Sequence, residues 1–212
     1  MKLRQLGLLV VLASTVMLGT SRIATASVIP VGVGAFGGST LTTFTGLADG
    51  TEVNNLVVDG ILFQYSLGNG EVIIDGGPGI TNNIAPPNIV SVGDPTGSLL
   101  LTLPSLVDTF GYGFAILNTD VQANATTISL FNGATPVGTL TYGGTPDPTF
   151  SGGFAGIFST EVFNRVQITF NSAVAPAWAL DNVRTLTSVP EPTTLLLLGT
   201  GLAALSRARR RR

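Results

Sequence analysis

The apolar residues of the central part of the chain recur in short runs, and no window between residues 27 and 188 keeps the 3.6-residue period of an amphipathic helix. The runs are rich in β-branched and aromatic residues and are separated by Gly, Pro, Asn and Asp, a pattern typical of β-strands. The alternation is clearest over Arg165–Phe170, where Val166, Ile168 and Phe170 share one face. This pattern predicts an all-β body.

Twelve segments of this kind are predicted as strands. They are Leu41–Phe44, Val53–Val58, Ile61–Ser66, Glu71–Ile74, Asn88–Val92, Leu99–Leu103, Thr109–Leu117, Thr127–Phe131, Val137–Tyr142, Gly153–Phe158, Arg165–Phe170 and Ala177–Arg184. Asn132-Gly133 lies between two of them and predicts a hairpin turn, because this dipeptide tolerates positive φ. So many short strands in one stretch predict a single two-sheet sandwich of jelly-roll type over residues 27–188.

The composition removes several classes of function. The chain has no Cys and no His, which excludes a disulfide framework, a Cys/His zinc site, a thiol nucleophile and a Ser-His-Asp triad. Acidic residues are available for glycoside hydrolysis, but none lies in a recognisable catalytic context. We therefore predict that the protein is not an enzyme, and a polysaccharide-active enzyme is the remote alternative.

The formal net charge of −2 hides an uneven distribution. Between Ser27 and Val189 two arginines, Arg165 and Arg184, stand against eleven acidic residues, so this stretch carries a formal charge of −9. Nucleic-acid binding needs a basic face, which this body cannot provide. The remaining basic residues lie at the two ends of the chain.

The N-terminal 26 residues have the three parts of a secretory signal peptide. Lys2 and Arg4 precede an apolar run over residues 6–18, and Ala24 and Ala26 form an Ala-x-Ala site. The apolar run is too short to span a membrane comfortably. We expect a signal helix that is removed by cleavage after Ala26.

The last 24 residues, 189–212, are built differently. Pro190-Glu191-Pro192 precedes an apolar stretch over Thr193–Ser206, and an arginine cluster follows. A helix beginning near Val189 would be about 27 Å long, enough for a thin bilayer. The positive-inside rule keeps the arginines cytoplasmic, so they should act as a stop-transfer anchor. These arginines are Arg207, Arg209, Arg210, Arg211 and Arg212.

This arrangement resembles the PEP-CTERM sorting signal of Gram-negative bacteria. The resemblance implies processing near Pro190-Glu191-Pro192 by an exosortase, a membrane-embedded cysteine transpeptidase. It also implies an intermediate tethered to the inner membrane, followed by transfer to the cell surface or extracellular matrix. Proteins of this family typically belong to systems that make exopolysaccharide and biofilm.

The body resembles the domains commonly found ahead of this tail. The similar fragments are Gly111–Phe114, Gly153–Ile157 and Ala179–Val183. They imply a sandwich akin to carbohydrate-binding modules. Such domains often carry an acidic residue after an opening Phe, whereas Thr45 follows Phe44 here.

The polar pair Asp181-Asn182 is the main candidate site of the body. Asp181 could ligate a structural Ca²⁺, which prefers oxygen ligands, or the pair could form backbone hydrogen bonds at a turn. Four aromatic residues could stack on sugars, although core burial is the favoured interpretation. These are Trp178, Tyr65, Tyr112 and Tyr142.

Taken together, the sequence predicts an exported protein with a structural or adhesive role in exopolysaccharide. The alternative is a calcium-assisted carbohydrate-binding module of the matrix. The expected partners are an exosortase-type enzyme, the inner membrane during transit, and extracellular polysaccharide.

Overall fold

The computed structural model of the chain describes residues 26–187. The predicted signal peptide, apart from Ala26, and the sorting and anchor segment lie outside these residues. Eleven β-strands and one 3₁₀ turn, Val33–Phe36, form the described part, which contains no α-helix and no helix able to cross a membrane. The strands are β1 Val28–Pro30, β2 Thr40–Thr42, β3 Leu56–Val58, β4 Ile61–Tyr65, β5 Val72–Asp75, β6 Asn88–Ser91, β7 Ser98–Ile116, β8 Gln122–Asn132, β9 Thr135–Pro146, β10 Ser151–Phe170 and β11 Trp178–Leu186.

The two longest strands, β7 and β10, pair with each other along almost their whole lengths. The antiparallel register runs from Ser151 opposite Ile116 to Phe158 opposite Thr109. It shifts at β-bulges around Phe163 and continues from Arg165 opposite Thr102 to the strand ends. Each of these strands was predicted as two, because exposed residues interrupt the apolar alternation over 104–106 and 160–162.

The bulged region divides the strands into two groups. Residues 98–103 of β7 and 165–170 of β10 pair with β4 and β8, which in turn bind β3 and β9. Residues 109–116 of β7 and 151–158 of β10 pair with β11 and β1, and β11 binds β2 and β6. The all-β prediction is therefore confirmed. The strands form one hydrogen-bonded sheet and not two separate ones, because β7 and β10 run through both groups.

The two halves of this sheet face each other across an aromatic core. Phe170 of the first half stacks on Trp178 of the second, with ring centroids 4.4 Å apart. Phe170 also lies 6.2 Å from the ring of Phe114. The Tyr112 hydroxyl is 2.6 Å from Thr126 Oγ1 on β8, so a hydrogen bond joins the halves as well. The apolar core is therefore closed by folding a single sheet over on itself.

Over residues 110–114 of β7, large residues on the inner face alternate with glycines on the outer face. Phe110, Tyr112 and Phe114 point into the core, while Gly111 and Gly113 point outward. A Cβ at Gly113 would lie 2.1 Å from the carbonyl oxygen of Asn83, and one at Gly111 would lie 2.6 Å from the ring of Phe154. The small residues thus let neighbouring groups lie directly on the sheet.

Both ends of the described chain lie at the bulged corner of β7 and β10. The Ser27 N–H donates to Thr160 Oγ1 at 3.0 Å, and the Thr160 N–H donates to the Ser27 carbonyl at 3.0 Å. The Thr187 hydroxyl donates to the Leu106 carbonyl at 3.2 Å. The segments on either side of the body therefore continue from the same end of it.

Two local predictions can be compared with the structure. A hairpin joins β8 and β9 as predicted, with Asn132 opposite Thr135 and Gly133 at φ +59°. The turn residues are Gly133 and Ala134, one position further along than predicted. The three-residue strand β1 was not predicted, because Val28–Pro30 is too short to show a period.

The close approach at Gly113 can be tested by adding a methyl group. We expect Gly113→Ala to lower the free energy of unfolding by about 1–3 kcal/mol, the usual cost of overpacking. Denaturant unfolding followed by tryptophan fluorescence measures it. The control is Gly32→Ala, where no atom lies within 4 Å of the new Cβ and the φ of −83° suits alanine. Equal stability of the two variants would contradict the packing account.

Candidate functional site

The predicted pair Asp181-Asn182 lies at a β-bulge in β11. Asp181 lies opposite Gly113, whereas the next paired residue, Arg184, lies opposite Gly111. Asn182 has φ +53°, in the left-handed region that Asn enters more readily than most residues. Bulges re-aim the side chains that follow them. Here Val183 stays in the core, and Arg184 lies on the outer side.

The pair holds the loop over residues 82–85 against the sheet. Asp181 is only 2% exposed, and its Oδ2 accepts a hydrogen bond from the Ala85 N–H at 3.1 Å. The Asn182 Nδ2 donates to the Asn83 carbonyl at 2.7 Å. Asp181 Oδ1 is buried and has no hydrogen-bond partner among the described residues. The loop is therefore fixed by both side chains, and one carboxylate oxygen remains unsatisfied.

Burial raises the pKa of Asp181, and the N–H groups of Asn182 and Ala85 only partly oppose this effect. The charged carboxylate is thus disfavoured by its surroundings. Ca²⁺ takes six to eight oxygen ligands. Within residues 26–187 no three acidic residues come together to provide such a set. A calcium ion at Asp181 and Asn182 stays a prediction.

A cleft of about 240 Å³ opens beside this bulge. The loop over residues 82–85 forms one wall, Phe154 and Val33 form the other, and Asn182 and Arg184 complete it. Arg184 is partly buried, and its Nε has no hydrogen-bond partner among the described residues. No sequence pattern predicts that Arg184 and this loop meet, because they are about one hundred residues apart.

The four aromatic candidates are largely core residues. Trp178 is 2% exposed and Tyr112 is fully buried. The Tyr65 hydroxyl donates to the Asp94 carbonyl at 2.6 Å, and burial raises the pKa of Tyr65 to about 12. Tyr142 is partly buried, and its hydroxyl donates to the Gly156 carbonyl at 2.6 Å. Trp178, Tyr112 and Tyr65 therefore offer no exposed ring face for stacking on a sugar, and Tyr142 is only partly exposed.

A second, mostly apolar groove of about 310 Å³ lies near the opposite end of β11. Its floor contains Ala115 and Ala179, and its sides are formed by Phe150 and by the loop that includes Gly77 and Pro78. Asp75 at the edge of this groove uses Oδ1 to accept a hydrogen bond from the Gly76 N–H. This arrangement is a local turn of the kind the glycines there suggest.

The outer face of the first half of the sheet is rich in hydroxyl and amide groups. Thr127 and Thr141 are hydrogen bonded across β8 and β9 at 2.9 Å. On the adjoining strands, the Gln167 Nε2 donates to Ser98 Oγ at 3.0 Å. None of the eleven acidic residues of the body lies on β3, β4, β8, β9 or the adjoining parts of β7 and β10. This face is thus uncharged apart from Arg165.

The described chain is an all-β body with a small polar cleft and a face that is uncharged apart from Arg165. The segment that follows the body is identified by comparison with known protein families. Residues 188–212 match the PEP-CTERM protein-sorting motif. The chain therefore carries this motif, as predicted, and the motif indicates an exported protein that is processed at the membrane. None of the curated proteins matches the chain.

Several solved structures are distantly similar to the body. A variant of the catalytic domain of a GH87 α-1,3-glucanase, in complex with tetrasaccharides, is 13% identical over 62% of this chain, with a TM-score of 0.36. This chain spans only 29% of that one. A mutant of CBM29-2, a family 29 carbohydrate-binding module, is 8% identical over 68% of this chain and 97% of its own, with a TM-score of 0.36. The low-affinity xylan-binding module CBM86 from Roseburia intestinalis is 13% identical over 59% of this chain and 93% of its own, with a TM-score of 0.32.

The burial of Asp181 predicts a pH-dependent effect of Asp181→Asn. The pKa of Asp181 in the folded state lies above the ordinary value of 3.8. As the pH rises from 3.8 through the folded-state pKa, the wild type therefore loses stability relative to the neutral variant Asp181→Asn. The gain in unfolding free energy on Asp181→Asn should therefore be larger at neutral pH than at about pH 4. Denaturant unfolding across this range measures it.

Asp94→Asn is the matched control with the opposite sign. Hydrogen bonds from Thr96 lower the pKa of Asp94, so its carboxylate stabilises the fold above its ordinary pKa. This variant should be less stable than the wild type at neutral pH, with the difference shrinking in acid. A loss of stability at neutral pH for Asp181→Asn would contradict the account of an unsatisfied carboxylate. If calcium stabilises the wild type but not Asp181→Asn, that result would support the prediction of a calcium ion at Asp181.

Proposed function

We propose that an exosortase-type transpeptidase sorts this protein to the cell surface or extracellular matrix of a Gram-negative bacterium. There it has a structural or adhesive role in exopolysaccharide or biofilm. The observation that carries the proposal is the sorting motif over residues 188–212, which directly follows the folded body. The acidic, Cys-free composition of the body is consistent with a non-catalytic exported module.

The proposed route begins with removal of the signal peptide after Ala26. The body then lies outside the inner membrane, held by the apolar helix and the terminal arginines. The enzyme cuts near Pro190-Glu191-Pro192 and releases the body from this anchor. Only Ser188 and Val189 separate Thr187 from Pro190, a reach of roughly 10 Å when extended. Processing therefore takes place close to the corner at which Thr187 contacts Leu106.

The body then serves as a rigid, sandwich-like module of jelly-roll type. Its core does not depend on disulfides, so it folds equally well in any redox compartment. The uncharged face, with Thr127, Thr141, Ser98 and Gln167, offers hydroxyl and amide groups to hydroxyl-rich polymers. This face supports an adhesive role without requiring catalysis.

The sorting proposal predicts the fate of a chain without the triplet. Replacing Pro190, Glu191 and Pro192 by alanine removes the sequence that the enzyme recognises and leaves the helix and arginines in place. We expect this variant to accumulate in the inner membrane with an uncut tail. Cell fractionation with immunoblotting and intact mass measurement follow both properties.

The matched control replaces the next two residues, with Thr193→Ala and Thr194→Ala. This change is equally close to the membrane but spares the triplet, so sorting should continue. Release of both variants with the same tail mass would overturn the sorting proposal. Retention of both would show that the effect is not specific to the triplet, which also contradicts it.

The second candidate function is a calcium-assisted carbohydrate-binding module. The cleft beside Asn182 and the unsatisfied Oδ1 of Asp181 favour it. A glycan array probed with and without EDTA separates the two candidates. Sugar binding that EDTA abolishes would support the calcium-assisted module, whereas no binding in either condition favours the structural role.

A further inference from the structure

Arg184 lines the cleft beside the bulge of β11, and the other arginine of the described body, Arg165, lines a separate cleft of about 240 Å³ on the first half of the sheet. The Nε of Arg184 is buried without a hydrogen-bond partner among residues 26–187. The other arginine of this region, Arg165, is exposed and donates from Nη1 to the Gly133 carbonyl at 3.1 Å.

A buried guanidinium nitrogen without a hydrogen-bond partner is uncommon, because burying a polar group without a partner costs free energy. The planar donors of the guanidinium match the two oxygens of a carboxylate, and such charge-assisted pairs are among the stronger hydrogen bonds in proteins. A bound carboxylate would therefore supply the partner that the described chain does not.

The wall facing Arg184 is preformed. The loop over residues 82–85 is held by Asn182 at Asn83 and by Asp181 at Ala85. Asn82 Nδ2 also donates to the Phe150 carbonyl at 2.9 Å, which fixes the start of the loop. The cleft is thus a built feature of the fold, and a ligand would not have to order this wall.

The remaining wall is apolar. Phe154 packs edge-on against Phe36, with centroids 5.3 Å apart, and Val33 beside it is 47% exposed. An aromatic ring and an aliphatic side chain suit the C–H face of a sugar ring. The volume of about 240 Å³ is below the range of about 300–1,000 Å³ that is usual for drug-sized ligands. A single sugar unit is the appropriate size.

We propose that this cleft binds one carboxylate-bearing sugar unit of an acidic polysaccharide, with Arg184 pairing with the carboxylate and Phe154 contacting the ring. The inference rests on the proposed location of the protein in an exopolysaccharide layer. The formal charge of −9 on the body opposes polyanions at long range, but salt screens exposed charges beyond about 8 Å at physiological ionic strength. Recognition is therefore a short-range effect of Arg184.

The test is calorimetric titration of the full chain in detergent micelles with a galacturonic acid trisaccharide. The neutral galactose trisaccharide and acetate are the comparison ligands, because they carry the ring or the carboxylate alone. The acidic trisaccharide should bind at least about tenfold more tightly than either, as expected for charge-assisted hydrogen bonds. Arg184→Gln should remove this preference.

Arg165→Gln is the charge-matched control, because Arg165 lines a separate cleft on the first half of the sheet, so its replacement should leave binding at the Arg184 cleft unchanged. Arg184→Lys keeps the charge but not the planar donors, and should bind with intermediate affinity. Thermal unfolding shows that each variant is folded. The inference would be overturned if the acidic sugar did not bind, or bound no more tightly than the neutral one. It would also be overturned if Arg184→Gln left binding unchanged, or if Arg184→Gln and Arg165→Gln lost affinity equally.

This outcome is separable from that of the sorting proposal. A chain that is sorted normally but binds no acidic sugar would refute the inference alone. A chain that binds the sugar through Arg184 but is released without its triplet would refute only the sorting proposal.

Discussion

The body depends on the continuous pairing of β7 with β10 through a bulged corner. Each half of the sheet would expose an apolar face on its own, and the two strands bring these faces together by passing from one half into the other. Phe170 and Trp178 stack across the resulting core, and Phe114 packs against the ring of Phe170. The corner also holds Ser27 and Thr187, so the two ends of the described chain lie at one end of the body.

The same pairing determines where a ligand could bind. Since Phe110, Tyr112 and Phe114 of β7 fill the core, the outward positions between them can be glycine, and the loop over residues 82–85 lies directly on Gly113. The bulge at Asp181-Asn182 then secures this loop and turns Arg184 toward the cleft beside it. The unsatisfied carboxylate of Asp181 is a consequence of this arrangement, because the residue is enclosed under a loop that gives it one donor.

The sequence predicted the local features of the fold well and the non-local ones poorly. Alternating runs identified ten of the eleven strands, because burial of one face leaves a two-residue period. The continuity of β7 and β10 was missed, since an exposed corner interrupts the period without ending the strand. The candidate pair Asp181-Asn182 was visible as polar residues in an apolar run. Its contact with Asn83 and Ala85 depends on folding across about a hundred residues and leaves no local pattern.

The central claim is that the N-terminal and C-terminal segments direct the export and processing of the folded body. The most direct test is the intact mass of the protein recovered from outside the producing cells. The account predicts a chain that begins at Ser27 and ends near Pro190-Glu191-Pro192, without the apolar segment and the terminal arginines that follow the triplet. A released chain whose mass still includes Arg207–Arg212 would contradict it.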